Sequence, residues 1–465
     1  MCGIYASIST RGLQIPSHAL KHSLCNRGPD HTGSAQTNFT ASDGTPYCLS
    51  FLSTVLALRG DHITAQPFDG SAIINAPGPN PGSILCWNGE AWKVGGELVN
   101  GNDGQVIYDI LVKAVSTAAS ASDATLAVLK VLRGISGPFA FVFWDNVHGT
   151  LYCGRDRLGR RSLLYNVDNK SENMGQSEYI EFASTADPAK GNWKEIEADG
   201  IYIFSCNDKT SLSFSKPDSL DLSISTSPLP YQRFEWEEDS EADASAPSLG
   251  KFNRTFEDGT HILNLDSPSV MSLRHHLYLI HPHNTEMDLS IAFALYFASR
   301  GIGLASTKDD IEEILYTTPA RVLLSGLGAD ELFGGYIRHA TAFNRSGFSA
   351  LLDELELDVN RLGKRNLGRD DRVISYWGRE ARFPYLDEDL VKWAVESPIW
   401  DKCGFTSGSQ GPETPDIEPG KKVLRLLAYD LGMKSVAIEK KRAIQFGART
   451  AKMEIGRTKG TTLIS

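Results

Sequence analysis

The chain opens Met1-Cys2-Gly3-Ile4, and no other stretch limits its folding options as tightly. Once Met1 is removed, Cys2 carries a thiol and a free α-amine on one residue. A thiolate is a strong nucleophile, and the neighbouring amine can take its proton directly or through a water. Gly3 leaves room for a substrate carbonyl, and Ile4 enters a predicted strand. A cysteine at position 2 is by itself an ordinary residue, so the rest of the chain decides its meaning.

The chain has 465 residues, enough for two or three domains that each bury a core. Its formal net charge of -11 argues against a nucleic-acid-binding face. No apolar run reaches the roughly 18 residues of a membrane span, and no basic-then-apolar secretory leader is present. The seven cysteines are scattered and never form a C-x-x-C pair. That fits reduced thiols in the cytoplasm better than disulfides or a zinc site.

Residues 1 to about 225 read as short strands separated by turns. Cys48–Leu58 and Ser83–Trp87 are apolar runs. Phe139–Trp144 and Gly149–Arg155 read as a hairpin, and residues 104–133 as two helices broken by Ser and Ala. Between them lie short motifs: Asn26-Arg27-Gly28-Pro29-Asp30, Trp87-Asn88-Gly89-Glu90, Asn102-Asp103-Gly104 and Gly154 to Tyr165. Singly each reads as a turn or a helix cap, and Asp103 as a possible cap.

In this order behind Met-Cys-Gly-Ile, the motifs resemble the class II glutamine amidotransferases over most of residues 1–205. The resemblance implies an N-terminal-nucleophile (Ntn) hydrolase fold, a four-layer sandwich of two antiparallel sheets between helices. It implies that Cys2 attacks the glutamine side-chain amide, releases ammonia and leaves a thioester for water. Asn88 and Gly89 would supply an oxyanion hole. Asp103 would meet the α-ammonium, and Arg27, Asp30 and Glu90 would shape the glutamine pocket. The family's carboxylate-binding arginine falls at Val55 in this register, which leaves Arg59 as the substitute.

From Thr226 to about Gly250 prolines and the acidic run Glu235 to Glu241 read as a solvated linker. Beyond it, residues 268–280 and Met287–Arg300 read as helices, and Ala320–Leu324 as a buried strand. That strand opens into Ser325-Gly326-Leu327-Gly328-Ala329-Asp330-Glu331, a glycine turn before a helix start that carries two carboxylates. Such a turn lets backbone approach a phosphate, and a carboxylate there can hold Mg2+.

This stretch resembles the asparagine synthetase domain. Glu380 to Asp387, Gly420 to Arg425 and Glu439 to Phe446 follow in the family's order. The whole chain resembles a divergent eukaryotic branch of the glutamine-hydrolysing asparagine synthetases. The resemblance implies an α+β domain over 1–225, the linker over 226–250, and an incomplete parallel-sheet α/β nucleotide domain over 251–465. The implied substrates are glutamine, aspartate and ATP with Mg2+, and neither nucleic acid nor membrane is a partner.

Ser325, Gly326, Gly328, Asp330, Glu331, Lys440 and Lys441 would meet ATP or pyrophosphate, with Asp330 as the metal ligand. Arg382 and Asp387 read as structural. Two departures stand out. The family's Ser-Gly-Gly-x-Asp-Ser pyrophosphate loop has no counterpart before Met287, and Leu327 replaces a glutamate that would do acid–base work. The alternative is therefore a glutaminase or a non-catalytic binding protein with a degraded synthetase half. Two further readings, a sugar-amine or purine amidotransferase and a β-lactam-forming enzyme, are disfavoured by Ser325–Tyr336 and by the retained Cys2.

Overall fold

The computed structural model describes residues 2–59, 62–70, 82–167, 179–187, 190, 193–207, 231–236, 295–296, 298–305, 314–365, 367–406 and 417–441. The helix expected at 268–280 and most of that at 287–300 lie outside them. The chain divides into two compact units. The first comprises residues 1–250, 360–380 and 386–392, and the second 251–359, 381–385 and 393–465.

The first unit is built on two antiparallel sheets. One holds six strands in the order β12-β10-β11-β1-β3-β2. These are β1 (Gly3–Ser9), β2 (His31–Thr40), β3 (Pro46–Val55), β10 (Leu164–Val167), β11 (Tyr179–Ala183) and β12 (Lys194–Glu195). The other holds five in the order β14-β13-β9-β8-β4. They are β4 (Ile84–Gly89), β8 (Phe139–Asp145), β9 (Thr150–Arg155), β13 (Gly200–Ser205) and β14 (Tyr231–Glu235). The short strands β5 (Lys93–Val94), β6 (Glu97–Leu98) and β7 (Ile135–Ser136) make a separate ribbon.

The layering follows from side-chain alternation. On β1, Ile4, Ala6 and Ile8 join a core with Ala140, Val142 and Trp144 of β8, so these faces pack sheet against sheet. On the opposite face of β1, Tyr5 packs with Leu20 and Leu24 of helix α1 (His18–Arg27). On the opposite face of β8, Phe139, Phe141 and Phe143 pack against helices α2 (Asp103–Thr117) and α3 (Ala121–Arg133). The order is therefore helix, sheet, sheet, helix pair. Because β1 and β8 are covered on both faces, their sequences are near-continuous apolar runs.

Helix starts follow local chemistry. Asn102 Oδ1 accepts from Gln105 N at 3.0 Å and caps α2, and Ser120 caps α3. Asn102, not Asp103, is thus the cap, which frees Asp103 for other contacts. In the stretch expected as solvated linker, Tyr231–Glu235 is instead an edge strand paired with β13, and Trp236 is buried. The period-2 pattern of that strand is masked in sequence by the acidic run that begins at its end.

Residues 360–380 and 386–392 belong to the first unit through buried ion pairs. Asp371 of helix Leu367–Ser375 meets Arg27 at 2.7 Å, and Glu388 meets Arg160. A Cβ on Gly368 would lie 1.9 Å from Glu195 Oε1, so any larger residue there would push the Glu195 carboxylate aside.

The second unit is largely helical among its described residues, with Ile337–Val359 forming two helical stretches that meet at a kink at Ser346 and Gly347. Its strands pair in twos, Ile302–Ala305 with Ile314–Thr317 in antiparallel fashion, instead of forming one wide sheet. The strand expected to be buried, Val322–Leu324, is only half-buried, and Leu324 is 50% exposed. A two-strand sheet offers too few neighbours to cover it.

Candidate active site

A pocket in the first unit is lined by Cys2, Val55, Arg59, Gln66, Gly89, Glu90, Asp103 and Glu380, among others. Strand β1 delivers Cys2, the end of β3 leads to Arg59, β4 ends at Gly89, and α2 starts at Asp103. Gly3 fits because a Cβ there would lie 2.5 Å from Thr54 Oγ1, so the chain start lies flat on β3.

Asn88 is fully buried beside the nucleophile. Its Oδ1 accepts from Cys2 N at 3.1 Å, and its Nδ2 has no hydrogen-bond partner among the described residues. A buried amide N–H without a partner costs roughly 1–3 kcal/mol, so its retention points to an acceptor that arrives later. Gly89 lines the pocket, and a Cβ there would lie 2.4 Å from Pro138 O, so the position admits no side chain.

Burial pushes the Cys2 thiol above its ordinary pKa, and the chain's positive amino terminus and the Leu56 N–H pull it back only part-way. The resting sulfur is therefore protonated. Burial likewise raises Asp103, opposed by Ala91 N–H, Trp87 Nε1–H and Arg59. Asp103 Oδ2 accepts from Trp87 Nε1 at 3.0 Å and Ala91 N at 2.9 Å, which fixes the carboxylate in the wall. Arg59 reaches the Ala91 and Val99 carbonyls.

Two sequence expectations need correction. Arg27 and Asp30 do not line the pocket. Arg27 is buried, with Nε 3.4 Å from Cys2 O, Nη2 on Asp371 and Nη1 on Ser375 Oγ. Asp30 accepts from Ala57 N at 2.7 Å. Both brace the segments that carry pocket residues, because the glycine turn between them packs its backbone onto Thr54 and Val55. Conversely, Gln66 and Glu380 line the pocket although neither was expected as a site residue. Gln66 stands in the sequence only as half of the Gln66-Pro67 element that sets the register of the preceding strand, and Glu380 only as the start of a stretch in the second half.

In the second unit, Asp330 lies between two lysines, with Oδ1 2.7 Å from Lys421 Nζ and Oδ2 2.7 Å from Lys441 Nζ. Burial favours the neutral acid, but the two ammonium groups outweigh it and hold the carboxyl below its usual range. Lys441 Nζ also lies 3.9 Å from the Tyr336 ring centroid. Lys440 is exposed. Lys421 was missed, although its left-handed backbone (φ 57°) after Gly420 marks a special turn.

Glu331 is committed locally: it accepts from Gly328 N at 3.1 Å and from Tyr336 Oη at 2.6 Å. Gly328 takes φ 95°, and Gly326 is open. Ser325 Oγ is buried without a partner. One carboxylate already neutralised by two ammonium groups does not fit a Mg2+ site, and no cluster of three acidic, His or Cys ligands exists among the described residues.

The four-layer unit has the layering expected of an Ntn-hydrolase fold, with Cys2 and the Asp103 carboxylate in one pocket and the buried Asn88 amide beside Cys2. A glutamine amidotransferase family model matches residues 98–184 and an asparagine synthase model matches residues 344–460. The chain is similar to proteins named asparagine synthetase domain-containing proteins. The mouse asparagine synthetase domain-containing protein 1 is 44% identical over 177 residues, 38% of this chain and 27% of the relative. The chain thus matches about a quarter of that relative's length.

A yeast asparagine synthetase domain-containing protein, YML096W, is 27% identical over 504 residues, covering 90% of this chain and 87% of its own. That alignment is longer than the 465-residue chain, so the yeast relative holds segments with no counterpart here. Maize asparagine synthetase (glutamine-hydrolysing) is 34% identical over 82 residues, 17% of this chain and 14% of its own. Among solved structures, glutamine phosphoribosylpyrophosphate amidotransferase from B. subtilis matches with TM-score 0.29 at 14% identity, covering 44% of this chain and 47% of its own. Among the described residues no helix is long and apolar enough to cross a membrane.

Proposed function

We propose that the chain hydrolyses glutamine to glutamate and ammonia at Cys2. The observation that carries this reading is the partnerless buried Nδ2 of Asn88, next to the residue that bears the thiol. With Met1 removed, the Cys2 amine takes the thiol proton and the sulfur attacks the side-chain amide carbon of glutamine. The oxyanion that forms is met by Asn88 Nδ2–H and Gly89 N–H. Collapse expels ammonia with the proton from the amine and leaves a γ-glutamyl thioester. Water, deprotonated by the same amine, then releases glutamate and restores the thiol.

Asp103, with Glu90 beside it, meets the α-ammonium. Arg59 meets the α-carboxylate, since two backbone carbonyls do not exhaust its five N–H donors. The glutaminase domain is the first unit, which extends past the expected boundary at 225 to include β14 and residues 360–380 and 386–392, and Arg27 and Asp30 support its pocket from behind. Seven free thiols agree with a reducing, cytoplasmic setting.

Glutamate release by the full chain tests this reading. Cys2→Ala abolishes it, and Asn88→Ala lowers kcat about 10²- to 10³-fold. Hydrolysis by Cys2→Ala at the wild-type rate would overturn it.

A second reading adds ATP-dependent amidation of aspartate by the second unit. It is favoured by Lys421, Lys441 and the partnerless Ser325 Oγ, which suit an anion such as a phosphate group. The lysines are already paired with Asp330 and the pyrophosphate loop is missing, so ATP binding is weak. Asparagine and AMP formed in equal amounts from aspartate, ATP and ammonium would establish this second activity; their absence leaves glutamine hydrolysis alone.

A further inference from the structure

We propose that Gln66 is a catalytic residue of this pocket, donating from Nε2 to the Cys2 sulfur as the thiolate forms while its Oε1 holds β4 beside it. This rests on the glutaminase reading of Cys2. Gln66 Nε2 lies 3.8 Å from Cys2 Sγ, within reach of a sulfur acceptor. Gln66 Oε1 accepts from Trp87 N at 3.1 Å. That second bond fixes which end of the amide faces the sulfur. Trp87 N–H can only donate, so Oε1 must face it and Nε2 must face Cys2.

The side chain has little freedom to turn away. Gln66 is only 6% exposed, and β2 presses on its backbone, where a Cβ on Gly33 would lie 2.2 Å from Gln66 O. A closed circuit results. Cys2 Sγ meets Gln66, Gln66 meets Trp87 N, and the next residue, Asn88, accepts from Cys2 N. The nucleophile and the amide aimed at the oxyanion are thus held to one another by a single side chain.

The charges around the sulfur explain why a neutral donor is useful. Asp103, Glu90 and Glu380 face the pocket from α2, from the end of β4 and from the segment after helix Leu367–Ser375. Arg59 supplies positive charge to the lining. Burial, Asp103 and Glu380 all push the thiol up, and the charge of the amino terminus and then the Leu56 N–H oppose them. A hydrogen bond to the charged form favours that form without adding a cation that would compete for the substrate carboxylate.

The test is alkylation of Cys2 by iodoacetamide, resolved by peptide mass and followed from about pH 5 to about pH 10. The full chain with Met1 verified as removed is used, without glutamine. Gln66→Glu keeps an acceptor for Trp87 N–H, but replaces the donor with a negative charge. Gln66→Met removes the donor with no added charge. Both should move the alkylation midpoint to higher pH, the glutamate variant further. A midpoint that rises from one pH to the next whole pH lowers the rate near neutrality about tenfold.

Midpoints unchanged from wild type, with only the melting temperature altered, would overturn the proposal and leave Gln66 a packing residue. If Gln66→Glu fails to fold, Gln66→Met decides alone. Raised midpoints in the variants, with no glutamine turnover by the wild-type chain, would count against the glutaminase reading and not against the Gln66–Cys2 hydrogen bond.

Discussion

Asp103 is a carboxylate placed where water would not leave it. Its burial raises its pKa, and the N–H groups of Ala91 and Trp87 hold it in place. Because the folded value lies above the unfolded one, the ionised form that binds an ammonium is gained only as pH rises past the raised value. KM for glutamine should therefore fall as pH rises through that range. Asp103→Asn should raise KM about 100-fold, the worth of a charge-assisted contact, and abolish the pH dependence while kcat changes little. Initial rates across pH measure both. Cys2, Asn88, Gly89, Glu90 and Asp103 could be named from short motifs and Arg59 from the register of a resemblance, and folding brings five of them to one pocket with Asn88 on Cys2 N. The contacts of Gln66, Glu380 and Lys421 could not be named, since they depend on partners such as Cys2 and Asp330 that only folding supplies.

Helix Leu367–Ser375 shows how an element acquires a role its own sequence hides. Its sequence holds the charged run Arg369-Asp370-Asp371-Arg372, yet Asp370, Asp371 and Ser375 are buried and Asp371 lies 2.7 Å from Arg27 and 3.8 Å from Arg161. Removing one partner of a buried pair strands the other charge. Asp371→Ala should therefore destabilise the first unit by about 3–5 kcal/mol, seen as a lower denaturant midpoint. A midpoint within error of wild type would show that Arg27 finds another partner. The hairpin β8–β9 and the pair α2–α3 were readable because period-2 and period-3.6 patterns survive in covered elements. Strand β14 and the half-exposed Val322–Leu324 were misread for opposite reasons. The acidic residues after β14 conceal its buried contacts, and the apolar run at 322–324 lacks the neighbours that would bury it.

At the scale of the molecule, the two units hold different sets of groups. The first has Cys2 and the fixed Asp103 carboxylate in one pocket, with the Asn88 amide beside Cys2. The second, among the described residues, has a carboxylate clasped by two lysines and strands that pair in twos. The most direct measurement is rapid acid quenching of the full chain during turnover with glutamine, followed by peptide mass analysis. A γ-glutamyl thioester on the peptide that begins at Cys2 is the predicted result. Glutamine turnover with no adduct on Cys2, or with the adduct on another residue, would contradict it.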